Sequence, residues 1–166
     1  MKKYYFKEKF IKITDDYPIY DENGDKVFIF DQKFRPIGYR AELKDMDKNK
    51  LFSIKRKVVR LFPTYIVEFE DGEEMKVKEG ISLIKRKLNA SFKGMDFKIK
   101  GSIFDYDFTV YLDGEKVAKM DKKLISLTDQ YELTVLKDEL SLPVIALCIC
   151  VDNIKDEEEN EEEEED

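Results

Sequence analysis

Two short runs of positive charge, Lys55-Arg56-Lys57 with Arg60 close by and Lys85-Arg86-Lys87, are the side chains best placed to bind something. In an extended segment successive side chains alternate between faces, so Lys55 and Lys57 share one side, as do Lys85 and Lys87. Ammonium groups held in such pairs act as point charges on the phosphates of an anionic headgroup. The same pattern suits a solvated strand face, or charges that blunt the edge of a sheet. Asp105 and Asp107 would lie about 7 Å apart on one face of a strand. That spacing suits a metal or an acid pair, but no further ligand cluster accompanies them. Cys148 and Cys150 are also two apart; on a helix they diverge by about 200° and cannot chelate together. They read as buried, inert thiols.

The chemistry that is missing narrows the function further. Histidine is absent from the 166 residues. That excludes a Ser-His-Asp triad, a Cys-His dyad, histidine-ligated zinc and histidine acid–base catalysis. Two cysteines build neither an all-cysteine zinc site nor a disulfide framework. The seven glycines are scattered, so no loop cradles a phosphate. The expectation is a protein that is not an enzyme and holds no metal or cofactor.

The net charge of −7 is the sum of two unlike parts. Residues 152–166 hold eleven acids and Lys155, or −10, which leaves the body of 1–151 with 26 acids and 29 bases, or +3. A mildly basic globule carries an acidic tail, and the two parts see different partners. Nucleic acid is not expected, because no basic platform interleaved with exposed aromatic residues is evident.

These groups need elements to position them. Asp21-Glu22-Asn23-Gly24-Asp25, Asp71-Gly72 and Asp113-Gly114 are hairpin signals, with glycine supplying positive φ. Lys93-Gly94 is weaker, and Asp45-Met46-Asp47-Lys48-Asn49 is a polar turn without glycine. Between these points the sequence alternates. Phe104, Tyr106, Phe108 and Val110 fall on one face, as do Tyr65, Val67 and Phe69, and Tyr131, Leu133 and Val135. Period two in aromatic and β-branched residues predicts half-buried strands. The Tyr20–Val27 segment echoes 111–117, a likeness that follows from the limited chemistry of turns.

The texture changes after residue 137. The run 140–151 is apolar on all sides; Val, Ile and Cys also suit a strand, but Ser141 as a candidate cap and Pro143 in a first turn favour a helix. A helix without a polar face must be surrounded by protein or lipid. At about 18 Å it is too short to cross a bilayer core of about 30 Å, so no transmembrane segment is expected. The fitting arrangement is a helix threaded through a curved or closed sheet. Residues 156–166 are ten acids and Asn160, a run that repels itself and is expected to be disordered.

Several segments together resemble the bacterial LURP-one-related proteins, which share the tubby C-terminal-like fold with phospholipid scramblases. They are Tyr20-Asp21-Glu22-Asn23-Gly24, Phe52-Ser53-Ile54-Lys55-Arg56-Lys57, Pro63-Thr64-Tyr65-Ile66-Val67, the stretch from Lys100 to Phe108, and Ile145-Ala146-Leu147-Cys148-Ile149-Cys150-Val151-Asp152. The resemblance implies a mostly β fold: a twelve-stranded antiparallel tubby-like barrel enclosing one hydrophobic C-terminal helix. It also implies one barrel domain over 1–154, and the charge run at 155–166 is expected to be an acidic disordered tail beyond it. The sequence departs from the family in its glycine-free second turn and in the tail.

The functional expectation is a non-enzymatic binding or scaffold protein. It would be cytoplasmic or peripheral at the membrane, engaging an anionic lipid headgroup or a protein partner through Lys55, Arg56, Lys57, Arg60, Lys85, Arg86 and Lys87. The alternative is a small-molecule carrier of the β-barrel type, which would need a cavity.

Overall fold

The computed structural model describes residues 1–7, 16–34, 38–57, 64–80, 87–123 and 130–165. Among them, alternating sequence becomes strand. The strands are β1 (Lys2–Lys7), β2 (Tyr17–Asp21), β3 (Lys26–Phe34), β4 (Tyr39–Lys44), β5 (Lys50–Lys57) and β6 (Thr64–Phe69), followed by β7 (Glu74–Gly80), β8 (Lys87–Phe92), β9 (Met95–Ser102), β10 (Asp107–Leu112), β11 (Glu115–Lys123) and β12 (Gln130–Val135). Each strand pairs antiparallel with its neighbours in the sequence, and β1 pairs with β12, so these twelve strands close into a barrel. Closure leaves no unpaired edge.

Antiparallel alternation sorts the connections into two ends. The turns after β2, β4, β6, β8 and β10 share one end with the exit of β12. The connections after β1, β3, β5, β7, β9 and β11 share the other. Glycine marks the first end as expected, with Gly24, Gly72 and Gly114 all at positive φ. The glycine-free turn of residues 45–49 places Lys48 at φ 69 instead, and the Asp45 carboxylate accepts from the Asn49 backbone N–H at 2.8 Å. The two-residue hairpins are the ones at Lys93-Gly94 and Asp113-Gly114, where both residues have positive φ. The turn at Asn23-Gly24 is wider. There Asp21 accepts the backbone N–H groups of Asn23 and Asp25.

A short 3₁₀ turn, Asp138–Leu140, leads from β12 into α1 (Ser141–Glu165). Ser141 does not cap the helix, because its hydroxyl is buried and bonds to nothing. From Val144 to Ile154 every residue is buried. Ile19, Phe52, Ile54, Val67, Met75, Val77, Val110 and Leu133 are buried with them in one core. Each large apolar side chain buried this way stabilises the fold by roughly 1.5–3 kcal/mol. The helix continues past its apolar run. Where charge repulsion predicts a disordered tail from residue 155, the backbone remains helical to Glu165. A helix nucleated inside the barrel needs only propagation, and glutamate is a good helix former.

One alternating segment is shorter than its sequence suggests. Residues 103–106 form the turn between β9 and β10, so Phe104 is exposed and lies outside the strand. Tyr106 closes that turn at φ 51, and its ring stacks on Tyr131 with centroids 4.0 Å apart.

Two outcomes test this packing. Ile145→Asp buries an unpaired carboxylate at several kcal/mol, against a total stability of about 5–15, so circular dichroism should show little folded protein. Gly101→Ala should destabilise by about 3 kcal/mol or more in urea melts. Its φ is +119, and a Cβ there would lie 2.5 Å from the Asp107 carbonyl oxygen. Gly72→Ala, where a Cβ meets nothing within 4 Å, should cost only the ~1–2 kcal/mol of left-handed backbone.

Candidate functional site

Strand alternation decides where the basic residues go. On β5, Phe52 and Ile54 face inward, and Arg56 follows them on that face at the barrel mouth. Lys55 and Lys57 face outward together, as their spacing predicts. Lys55 is committed to a neighbour: its Nζ lies 2.8 Å from both Glu68 carboxylate oxygens. That contact holds the Glu68 carboxyl below the usual glutamate range. Lys57 is exposed and makes no ion pair with a described residue. Arg60, Lys85 and Arg86 lie outside the described residues, and Lys87 is the first residue of β8. Strands β6 and β7 separate β5 from β8, so Lys57 and Lys87 stand about 14 Å apart across the wall. The two basic runs therefore do not form one compact cluster of described side chains.

The register brings together different lysines. Lys57 pairs with Thr64, Thr64 with Lys78, Lys78 with Asn89, and Asn89 with Lys98. This row crosses β5 to β9 on the outer face, with a lysine on every second strand and a neutral polar side chain between. Lys57, Lys78 and Lys98 are exposed, and none makes an ion pair with a described residue. Lys76, two residues before Lys78 on the same face, is also exposed and unpaired among the described residues. Nothing in the sequence singles out Lys76, Lys78 and Lys98. Each stands in an ordinary alternating strand, and only register collects them.

On the opposite wall several lysines are paired with acids. Lys3 and Lys123 both reach Glu132, Lys44 reaches Asp31, and Lys119 pairs with Asp121. Glu132 also accepts from the Tyr5 hydroxyl at 2.8 Å. Burial raises the Glu132 pKa, but the hydrogen bonds from Tyr5 and Lys3 and the charge of Lys123 outweigh it and leave the carboxyl below its ordinary value. The Tyr5 phenol is pushed up to about 12, by burial first and by Glu132 next.

The mouth through which α1 leaves is a polar collar. The Tyr65 hydroxyl donates to Asn153 Oδ1 at 2.8 Å, fully inside the protein. Beside it Tyr39 meets the Tyr65 ring edge-on. Burial, with Asp152 and Asp156 close by, pushes the Tyr39 phenol far up. Lys155 stands over the Tyr106 ring, 4.4 Å from its centroid. These contacts fix the depth of the helix in the barrel.

The remaining candidates separate. Asp105 sits in the β9–β10 turn and hydrogen-bonds to Ser102, while Asp107 opens β10, so the two do not share a strand face. Among the described residues no group of three or more Cys, Asp or Glu is placed to hold a metal ion. Cys148 and Cys150 are buried on α1 as free thiols, and burial pushes both pKa values far above that of an exposed cysteine.

A closed antiparallel barrel wrapped around one apolar helix, with a lysine-bearing outer wall, is the architecture these observations define. The sequence profile of the LURP-one-related family matches residues 2–152, and the chain belongs to that family. It is similar to the protein YxjI of Bacillus subtilis, 26% identical over 155 residues that cover 93% of this chain and 94% of the relative. A protein of Arabidopsis thaliana known from X-ray crystallography shares the fold at a TM-score of 0.63 and 17% identity, over 92% of this chain and 90% of that one. Among the described residues no helix is long and apolar enough to cross a membrane.

The thiolate is the reactive form of cysteine. The native protein should therefore leave Ellman's reagent unreacted at pH 8, and both thiols should react once denaturant is added. Rapid reaction of the native protein would show that α1 leaves the barrel readily.

Proposed function

We propose that this protein is a non-enzymatic binding or scaffold protein, peripheral at the cytoplasmic face of a membrane, whose ligand is the anionic headgroup layer. One observation carries the reading: on the wall of β5 to β9, Lys57, Lys76, Lys78 and Lys98 are exposed and none makes an ion pair with a described residue, while Lys3, Lys44, Lys119 and Lys123 on the opposite wall are paired with acids. Unpaired ammonium groups on a rigid sheet are ready to meet phosphate at no cost in broken ion pairs. Each basic residue near an anionic leaflet contributes about 1 kcal/mol, so four are enough for reversible attachment. The carrier reading is disfavoured because α1 fills the barrel axis, with Val144 to Val151 all buried.

Sedimentation with vesicles rich in phosphatidylserine, at low and high salt, tests the proposal. The chain should bind at low salt and release as the Debye length falls toward about 3 Å. Truncation after Asp156 removes nine acids and should strengthen binding, with a gain that shrinks in high salt. If neither form sediments with the vesicles, lipid binding fails and a protein partner becomes the ligand to seek.

A further inference from the structure

We infer that the barrel docks on its side, through the wall of β5 to β9, and reads an anionic bilayer by charge density rather than by gripping one multiply phosphorylated headgroup. The inference rests on the membrane reading above and adds an orientation and a lipid class to it.

The ends of the barrel argue for the side. Helix α1 leaves through the mouth beside Tyr65 and Tyr106 and carries the acids of residues 156–165 out with it. Docking by that mouth would press the most negative segment of the chain against a negative surface. The other end is ringed by exposed acids in its turns and at the entry to α1, among them Glu22, Asp25, Asp47, Glu73, Asp113 and Glu139. Among the described residues, like charge opposes docking by either end. The row of Lys57, Lys78 and Lys98 is interleaved with Thr64 and Asn89, so three lysines stand in line on this wall with no acid in the row.

Geometry argues for the lipid class. Lysines two strands apart stand about 9.5 Å from one another, and the outside of a barrel is convex, so their ammonium groups diverge. A multiply phosphorylated headgroup is held by converging donors, with arginine forks giving bidentate contacts. No guanidinium stands in this row, and Arg56 lies on the inner face. Diverging point charges suit separate, singly charged headgroups, one to each lysine.

The test uses the full chain and a triple variant, Lys57→Gln, Lys78→Gln and Lys98→Gln. Its control is Lys2→Gln, Lys26→Gln and Lys50→Gln, three exposed lysines with no ion-pair partner among the described residues. All six side chains are exposed, so matched melting curves confirm folding. At about fivefold per lysine, the first triple should weaken partitioning into phosphatidylserine vesicles on the order of 100-fold, and the control only a few fold. Equal loss from both triples would overturn side-on docking, since net charge alone would then set binding. Phosphatidylserine and phosphatidylinositol bisphosphate vesicles of matched surface charge should bind the unaltered chain within about threefold of each other. A preference above about tenfold for the bisphosphate overturns the lipid class. Tighter binding to duplex DNA than to vesicles at the same salt assigns the wall to a nucleic acid and overturns the inference. Absence of binding to every vesicle is a different result: it removes the membrane reading itself.

Discussion

The buried stretch of α1, residues 143–154, has no face that it can show to water, and the barrel is built around that constraint. Pro143, Val144, Ile145, Leu147, Ile149 and Val151 point in different directions around the helix, yet all are buried. A single sheet could cover only one side of such a helix. Closure of twelve strands covers every side and removes the sheet edges in the same step. The inward residues, from Phe6 and Ile19 to Leu133, therefore pack on a helix instead of on a second sheet. The core is thus one apolar cluster whose centre is contributed by the last element of the chain.

A filled interior moves function outward. The inside of this barrel is spent on packing, and the collar of Tyr65 and Asn153 closes the mouth around the departing helix. What the strands offer to partners is their outer face, where each alternate residue is free to be charged. That face is not uniform. Glu132 gathers Tyr5, Lys3 and Lys123, and Asp31 holds Lys44, so these lysines are held within the protein's own ion pairs. Such surface pairs contribute little stability each. They occupy lysines of one wall, while Lys57, Lys78 and Lys98 on the wall of β5 to β9 make no ion pair with a described residue. Membership of the LURP-one-related family accounts for the barrel and its helix. The charge pattern is a property of these particular outward residues.

Much of the architecture was legible in the sequence. Alternation named the inward faces of β6, β10 and β12, because a period of two is a local property of extended chain. Gly24, Gly72 and Gly114 marked their turns because positive φ is strained for residues with a Cβ. The all-apolar run at 140–151 demanded enclosure whatever the fold. Tertiary structure decided the rest. Sequence could not show that Tyr106 turns the chain, leaving Phe104 outside the strand, because that conformation is stabilised by stacking on the distant Tyr131. Nor could it show that acidic residues would remain in register with a helix nucleated inside the barrel. The basic runs at 55–57 and 85–87 stood out because they are contiguous, yet contiguity on a strand sends Arg56 inward and sets β5 and β8 three places apart. Lys57, Lys78 and Lys98 are far apart in sequence and become one row only when hydrogen-bond register fixes which residue lies opposite which. Register is set by closure of the whole barrel, a long-range constraint that no local pattern of residues contains.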